Sequence, residues 1–182
     1  MKIIKKEFLF QNEIVNIYKI NDCEEYRDLL ADKNYNGIME LAYLKSHKKN
    51  VVTLVGRERI AKTVAGEVSI SIQDTNAETF PNVCAIGTSD VAHNENSTTL
   101  HTEVFRTLIT SRSSSDNQFR TLSHYLPEDC DGNFREEAVF MEGDDGVADS
   151  GYLLSVVALS ATEGNKTSSD ALIVERIFTL SI

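Results

Sequence analysis

Two apolar runs, Phe134–Met141 (FREEAVFM) and Gly151–Leu159 (GYLLSVVAL), flank the acidic turn Gly143–Ser150 (GDDGVADS). Both runs are short, rich in β-branched and aromatic residues, and bounded by Gly, Asp and Ser, which is typical of strands joined by a turn. The spacing of their apolar residues shows no helical period. The sequence therefore predicts two antiparallel strands here.

The same alternation of apolar runs and polar turns extends over most of residues 56–182. Strands at short, regular intervals, with no helical pattern between them, are typical of an antiparallel β-sandwich. We therefore predict a mainly β fold with one or two short helices. The other predicted strands are Val68–Ile72, Val83–Ile86, Leu100–Arg112, Phe119–Leu126 and Ala171–Ile182.

The first third of the chain has a different pattern. Ile3–Phe10 and Ile14–Ile20 are apolar runs separated by Gln11–Glu13, which predicts a hairpin. Capping residues and apolar spacing predict helices over 22–32 and 57–65. Because a hairpin and one helix bury little apolar area, we expect residues 1–55 to form a small α+β element that docks on a neighbouring protein. Residues 56–182 are then the sandwich domain.

The charge is distributed unevenly. The 182-residue chain carries 18 Lys+Arg and 28 Asp+Glu, a net charge of −10. Residues 1–66 have a net charge of +3 and residues 67–182 a net charge of −13. Two surfaces of opposite sign suit ordered association with a neighbour, and two solvated faces without a partner account for the split equally well. The overall excess of acid argues against nucleic acid as a partner.

The sequence contains no pattern that predicts a membrane or export signal. Lys5, Lys6 and Glu7 interrupt the apolar start of the chain, and no stretch approaches the roughly 20 apolar residues of a membrane helix. The 3 cysteines include no CxxC pair, which is typical of a protein made in a reducing cytoplasm. We expect no membrane partner.

Candidate catalytic and metal-binding patterns are weak. The acidic loops at 129–133 and 142–149 resemble cation loops, but an EF-hand would need a glutamate where Phe140 stands, and ordinary turns are favoured. The 4 histidines match no zinc spacing, and Ser113–Ser115 has no placed base. We predict no cofactor, no metal and no enzymatic activity.

Five motifs follow one another in the C-terminal two thirds of the chain. They combine a glycine turn, a charged strand, a second charged strand, a serine-glycine turn and a lysine-threonine turn. In order they are Ala85-Ile86-Gly87-Thr88, Leu100-His101-Thr102-Glu103-Val104-Phe105-Arg106, Arg135-Glu136-Glu137-Ala138-Val139-Phe140, Ser150-Gly151-Tyr152-Leu153 and Lys166-Thr167-Ser168-Ser169-Asp170-Ala171-Leu172.

In this order and spacing, residues 56–182 resemble a β-rich family of bacteriophage virion proteins encoded among tail, baseplate and fibre genes. The chain departs from the family at Ala138, where members often have Gly, and it lacks the Trp of their closing strand. The resemblance implies a structural role without catalytic residues. The implied location is the virion, after synthesis in the host cytoplasm, and the implied partners are other virion proteins and the chain itself, as a ring or trimer.

The charged residues of two of these motifs form predicted ion pairs. In Leu100–Thr110, alternation places apolar residues on both faces, which predicts a strand covered by more than one sheet. Charges on such strands persist when they are paired. We predict that Glu103 or Glu136 pairs with Arg106 or Arg135, within the subunit or across an interface; the alternative is four separately solvated side chains.

Two classes of function follow from the sequence. The first is a non-enzymatic building block of a phage particle, in the tail, neck, baseplate or fibre attachment. The second is a carbohydrate-binding β-sandwich, with or without calcium, that recognises host glycans. Glycan sites usually present aromatic platforms, and here the chain has no Trp and only Tyr125 and Tyr152 in the sandwich. The sequence therefore favours the first class.

Overall fold

Two five-stranded antiparallel sheets form the body of the protein, and the computed structural model describes residues 10–64 and 81–180. The prediction of a mainly β, antiparallel sandwich-like fold is confirmed. Sheet 1 has the strand order β2 (Tyr43–Lys49), β1 (Phe10–Asn21), β12 (Asp170–Leu180), β7 (Gln118–Tyr125) and β6 (Ser111–Ser115).

Sheet 2 packs against sheet 1, and the chain passes from one sheet to the other at both sides of the sandwich. Asn50 connects β2 to the first strand of sheet 2, and Ile109–Thr110 connects its last strand to β6. The order in sheet 2 is β3 (Val51–Val52), β10 (Tyr152–Ala158), β9 (Glu136–Met141), β4 (Pro81–Gly87) and β5 (Glu103–Leu108); β8 (Gly132–Asn133) and β11 (Asn165–Lys166) form a separate pair.

The described residues include three helices, α1 (Glu24–Ala31), α2 (Tyr35–Leu41) and α3 (Leu54–Val64). The first and third lie where the sequence predicts helices. Asn34 is the N-cap of α2, and its side chain accepts a hydrogen bond from the Gly37 N–H at 3.1 Å. Apolar residues of α1 and α2 pack on the outer face of sheet 1, and α3 packs on β10 of sheet 2.

The main hydrophobic core lies between the two sheets. Alternate residues of each strand point inward, so both sheets contribute one side chain in two to this layer. Phe119 and Phe178 stack there with ring centroids 4.3 Å apart. Buried members of the core include Val15, Ile17, Cys84, Ile86, Tyr125, Val139, Met141, Leu154, Leu172 and Val174.

The structure corrects the predicted N-terminal element. Strand β1 continues through Gln11–Glu13 without a hairpin and pairs along its length with β12. Because β1 lies between β2 and β12, its residues Val15 and Ile17 belong to the core of the sandwich, which the sequence pattern assigned to residues 56–182. The boundary at residue 55 therefore does not separate two packing units. The predicted strand Val68–Ile72 and, apart from Phe10, the run Ile3–Phe10 lie outside the described residues.

The predicted strand Leu100–Arg112 is also corrected. It is divided at Ile109–Thr110 into β5 and β6, which belong to different sheets. Because β5 is the last strand of sheet 2 in the described part of the chain, one of its faces meets solvent: Val104 is 50% exposed and Leu108 is 46% exposed. The prediction that more than one sheet covers this segment is therefore wrong for β5.

The three helices are short and amphipathic. None of the helices in the described ranges has the length and apolar character needed to cross a lipid bilayer.

Candidate functional site

The carboxylate of Glu136 fastens the long loop between β4 and β5. Glu136 lies on the outer face of β9 and is buried. Its Oε1 accepts the N–H of Thr102 at 2.8 Å, and its Oε2 accepts the N–H of His101 at 3.0 Å. The same Oε2 lies 2.6 Å from Nε2 of His93. One carboxylate thus holds the middle and the C-terminal end of the loop against the sheet.

These hydrogen bonds also set the ionisation of Glu136. Burial by itself would raise the pKa of this carboxyl group. The hydrogen bonds from His93 and from the backbone N–H groups of His101 and Thr102 outweigh burial and hold the pKa below its ordinary value. Glu136 is therefore a carboxylate at neutral pH, which is the state that accepts all of these bonds.

Gly87 is the residue that allows this approach. A Cβ atom at Gly87 would overlap Oε1 of Glu136 and the carbonyl oxygen of Thr102. The backbone N–H of Arg135 donates to the carbonyl of Gly87 at 2.8 Å. Two of the sequence motifs, AIGT at 85–88 and REEAVF at 135–140, therefore meet at one point. Gly87, Glu136, His93, His101 and Thr102 together hold the loop 88–102 on the sheet, and we call these five residues the loop anchor.

A serine, a histidine and a carboxylate lie in a row at the loop anchor: Ser97, His93 and Glu136. Nδ1 of His93 lies 3.3 Å from Oγ of Ser97, and its Nε2 bonds to Glu136. Serine hydrolases use the opposite order, with Nε2 facing the serine and Nδ1 facing the carboxylate. The Ser97 hydroxyl oxygen also accepts the N–H of Asn94 at 3.1 Å. These hydrogen bonds connect residues of the loop 88–102 to one another and to β9, and they do not match the arrangement of a serine hydrolase.

Glu103 and Arg106 form an ion pair on β5, which is one of the pairings predicted from the sequence. Two hydrogen bonds join the guanidinium to the carboxylate, at 2.6 Å and 2.7 Å. Arg106 also donates to the carbonyl of Asp144 at 2.9 Å and to Oγ of Ser150 at 2.8 Å. Its guanidinium lies over the ring of Phe140. The pair therefore fixes the acidic turn 143–150 beside β5.

The other two predicted members are placed differently. Glu136 pairs with His93 and not with an arginine. Within the described ranges Arg135 takes part in no ion pair; its backbone N–H donates to the carbonyl of Gly87, and its carbonyl accepts the N–H of Leu159. Alternation explains the difference: residues 135 and 136 point to opposite sides, so one glutamate faces the loop and its neighbouring arginine does not.

Lys166 anchors the loop that was considered as a calcium site. Its ammonium group is buried and donates to the carbonyl oxygens of Pro127 at 3.2 Å and Cys130 at 2.6 Å. Oδ2 of Asp129 accepts the N–H of Leu126 at 2.7 Å. The polar atoms of this turn therefore bond to one another. In the ranges that the structure describes, no group of three or more His, Cys, Asp or Glu side chains is arranged to hold a metal ion.

A second charged cluster, absent from the sequence predictions, lies between the two sheets. Arg176 of β12 is fully buried and donates to Oε1 of Glu13 at 2.9 Å and to Oγ of Ser155 at 2.8 Å. Its other amino group donates to the carboxylate of Glu137 on the facing sheet. Ser155 also donates to Glu13 at 2.7 Å. We call Arg176, Glu13, Glu137 and Ser155 the charge centre.

The charge centre contains two carboxyl groups and one guanidinium. Burial raises the pKa of Glu137 to about 7, although Arg176 and the hydroxyl of Tyr125 oppose the shift. Burial also raises the pKa of Glu13. Oε2 of Glu13 is buried and has no hydrogen-bond partner among the described residues. The arrangement therefore favours keeping a proton on one of the two carboxyl groups near neutral pH.

One sequence signal pointed to this cluster. Glu137 follows Glu136 directly in β9, so alternation places the two side chains on opposite faces and one of them must face the core. Glu13 and Arg176 each interrupt an otherwise apolar inward-facing row. Such an interruption indicates a buried charge, but it does not name the partner.

A shallow groove runs along the outer face of sheet 1 beside α2. It has a volume of about 130 Å³. Tyr35, Arg120 and Glu175 are among its lining residues. Glu175 accepts hydrogen bonds from Asn16 at 2.8 Å and from the hydroxyl of Tyr18 at 3.2 Å. The groove therefore combines an aromatic ring with groups that donate and accept hydrogen bonds.

Comparison with known proteins gives no relative: no family model, no curated protein and no solved structure matches this chain.

Proposed function

We propose that this chain is a non-enzymatic structural component of a bacteriophage virion, placed in the tail, neck, baseplate or fibre attachment and acting through protein–protein assembly. The observation that carries the proposal is the use of the motif residues. Gly87, Glu136, Arg106 and Lys166, which belong to the motifs that resemble those of phage virion proteins, all hold loops onto the sandwich. Motifs of this kind preserve a shape, as an assembly unit requires.

The exposed surface supports the same proposal. Val104 and Leu108 lie on the outer face of β5, which is the last strand of sheet 2 among the described residues, and they are about half exposed. Exposed apolar residues on such a strand are sites where another chain can pair. The proposed partners are other virion proteins and further copies of this chain, in a ring or trimer, after synthesis in the host cytoplasm. Nucleic acid and membranes are not among them.

The direct test is the location of the protein. The chain is expected to co-purify with intact particles through a density gradient and to appear at a fixed position in electron micrographs of the particle. A tagged copy supplied during infection is expected to be incorporated. If purified particles lack the chain, or if it is distributed at random over the particle, the proposal is wrong. The identity of the flanking genes gives an independent check.

The non-enzymatic part of the proposal has its own test. A fluorophosphonate probe labels serines that an adjacent histidine and carboxylate activate. We expect no labelling of Ser97, because its hydroxyl oxygen already accepts the N–H of Asn94. Labelling that disappears in the Ser97→Ala variant would show that the Ser97–His93–Glu136 row is a catalytic site.

Carbohydrate binding is the second candidate function. The groove beside α2 favours it, because Tyr35 offers a ring and Arg120 and Glu175 offer polar contacts for sugar hydroxyl groups. Binding to a glycan array that is lost in the Arg120→Ala variant would support this function. The matched control is Arg112→Ala, a change on the neighbouring edge strand outside the groove lining.

A further inference from the structure

The two sides of the sandwich present surfaces of opposite charge: a basic edge strand on one side and an acidic turn beside β5 on the other. On one side β2 exposes Tyr43, Leu44, Lys45 and Lys49; we call these four residues the basic edge. Tyr43 is 46% exposed and Leu44 is 54% exposed, so the edge has apolar as well as charged surface. Within residues 10–64 and 81–180, β1 is the strand that pairs with β2, and the other side of β2 is open.

The opposite side carries the acidic counterpart. Val104 and Leu108 of β5 are exposed there, and the ion pair Glu103–Arg106 holds the turn 143–150 next to them. This turn exposes Val147 together with several carboxylates. We call the whole surface the acidic edge: Val104, Leu108, Val147, Asp144, Asp145 and Asp149.

The topology places these surfaces on opposite sides of the sandwich. Asn50 links β2 directly to β3, so these two strands lie at the same side. Ile109–Thr110 links β5 directly to β6, so these strands lie at the other side. Both sheet orders run from the first side to the second. A contact between β2 of one molecule and β5 of another is therefore heterologous, and it can repeat from copy to copy.

We propose that the basic edge of one copy of this chain binds the acidic edge of the next, which generates a head-to-tail assembly. This inference rests on the proposed assembly function and names the surfaces that carry it out. The two edges match in length, since β2 has 7 residues and β5 has 6. Lysines on one edge face aspartates on the other, whereas a two-fold contact between two acidic or two basic edges would bring like charges together.

The size of the edges determines the strength of a single contact. An edge strand and one turn bury less than the roughly 800 Å² per partner of a standard interface. Each contact is therefore weak, and a copy that is held at both edges is bound more tightly than a copy held at one edge. Association of the isolated protein is expected to depend on concentration and to weaken with salt, because the Debye length falls from about 30 Å at 0.01 M to about 3 Å at 1 M.

The experiment compares two charge variants of the full chain by sedimentation velocity. Lys45→Glu with Lys49→Glu reverses the basic edge, and Asp145→Lys with Asp149→Asn removes the charge of the acidic edge. Asparagine is chosen at 149 because this residue has a φ of +57°, which Asn tolerates. Wild type is expected to form species larger than a monomer as concentration rises, and each variant alone is expected to associate on the order of tenfold more weakly.

The mixture of the two variants gives the decisive result. Each variant retains one intact edge, so the mixture is expected to form 1:1 dimers that do not grow further. Lys33→Glu and Glu128→Lys are the matched controls, since both side chains are exposed and lie outside the two edges. The controls are expected to associate like wild type. Thermal melts followed by circular dichroism establish that every variant is folded.

Other outcomes overturn the inference. A wild-type chain that stays monomeric at all concentrations, variants that associate like wild type, or a mixture that does not form dimers would each contradict the head-to-tail contact. The proposed virion function is judged separately, by the presence of the chain in purified particles. If the chain is found there but the variants associate normally, the interface is wrong and the function stands.

Discussion

Arg176 of β12 and Glu137 of β9 lie on facing sheets, and the guanidinium of Arg176 donates to both the carboxylate and the backbone carbonyl of Glu137. Both side chains are fully buried. A charged link at this position connects the two layers of the sandwich through a directional contact, whereas apolar packing between sheets is non-directional. The position of one sheet relative to the other therefore depends on the hydrogen bonds between Arg176 and Glu137.

The first prediction concerns removal of the guanidinium. Arg176→Met leaves Glu13 and Glu137 buried without a cation, and the loss of one partner from a buried pair typically costs about 3–5 kcal/mol. Denaturant unfolding is expected to show a loss of this size. Arg120→Met is the matched control, because the Arg120–Glu175 pair is half exposed and 3.5 Å long, and its removal is expected to cost less than about 1 kcal/mol. Equal losses in the two variants would contradict the prediction.

The second prediction concerns the pH dependence of stability. The pKa of Glu137 rises from 4.5 to about 7 on folding, so the stability from its neutral form is complete below pH 4.5 and is lost as the pH rises to 7. Burial lowers the pKa of His124 from 6.5 to about 4, so its contribution is complete above pH 6.5 and is lost as the pH falls to 4. Each shift corresponds to about 3 kcal/mol.

Because these two groups act in opposite directions, single variants separate them. Between pH 6.5 and 4.5 the Glu137→Gln variant is expected to lose stability as the pH falls, and the His124→Gln variant is expected to gain stability. The groups that face Glu137 are Glu13, Arg176 and Tyr125, of which Glu13 acts in the same direction as Glu137 because burial also raises its pKa. Unfolding curves at several pH values measure both slopes. Parallel slopes in the two variants would refute this account.

The third prediction concerns the loop anchor. Gly87→Ala places a methyl group where Oε1 of Glu136 and the carbonyl of Thr102 now lie. Overpacking at such a site typically costs about 1–3 kcal/mol. Hydrogen exchange is expected to become faster in the loop 88–102, since its anchor must move. Gly146→Ala is the control: its methyl group would meet only an exposed aspartate side chain, 3.3 Å away. Unchanged exchange in the Gly87→Ala variant would show that the anchor is not tight.

The fourth prediction concerns the N-terminal strand. A fragment of residues 56–182 is expected to be insoluble or molten, because it lacks β1, which pairs with β12 and contributes Val15 and Ile17 to the core. It also lacks Glu13, the partner of Arg176. Circular dichroism and a thermal melt measure the outcome. Addition of residues 1–55 as a separate chain is expected to restore a cooperative melt, and a fragment that melts cooperatively alone would restore the boundary at residue 55.

The fifth prediction concerns cations. Oδ1 of Asp144 accepts the N–H of Gly146 at 2.8 Å, and Oδ2 of Asp129 accepts the N–H of Leu126, so each acidic turn uses a carboxylate oxygen to hold its own backbone. The melting temperature is therefore expected to be the same with EDTA and with calcium. A rise of several degrees with calcium would reveal a cation site in one of the turns.

Local patterns were sufficient for α1, α3 and most of the longer strands, but not for α2 or β2, and they were sufficient for part of the candidate site. The Glu103–Arg106 pair lies within one strand, at a separation of three residues, so its members were recognisable as neighbours. The role of Glu136 was not, because its partners are a histidine and two backbone N–H groups of a distant loop. The pattern of charged residues in a sequence does not show that a backbone N–H group will be the partner of a carboxylate. Of the alternatives predicted from the sequence, the pairing of Glu103 with Arg106 is present, and Glu136 pairs with His93.

The sequence by itself determined the antiparallel sandwich and most of its longer strands, because these follow from the alternation of side chains along each strand and from the chemistry of short turns. Only the tertiary structure decided that β1 pairs with β12 and that Glu13 meets Arg176, 163 residues away. Strand order and register depend on contacts between distant segments, which share no local pattern. The charge centre exists because that pairing brings three ionisable side chains from three strands to one buried point.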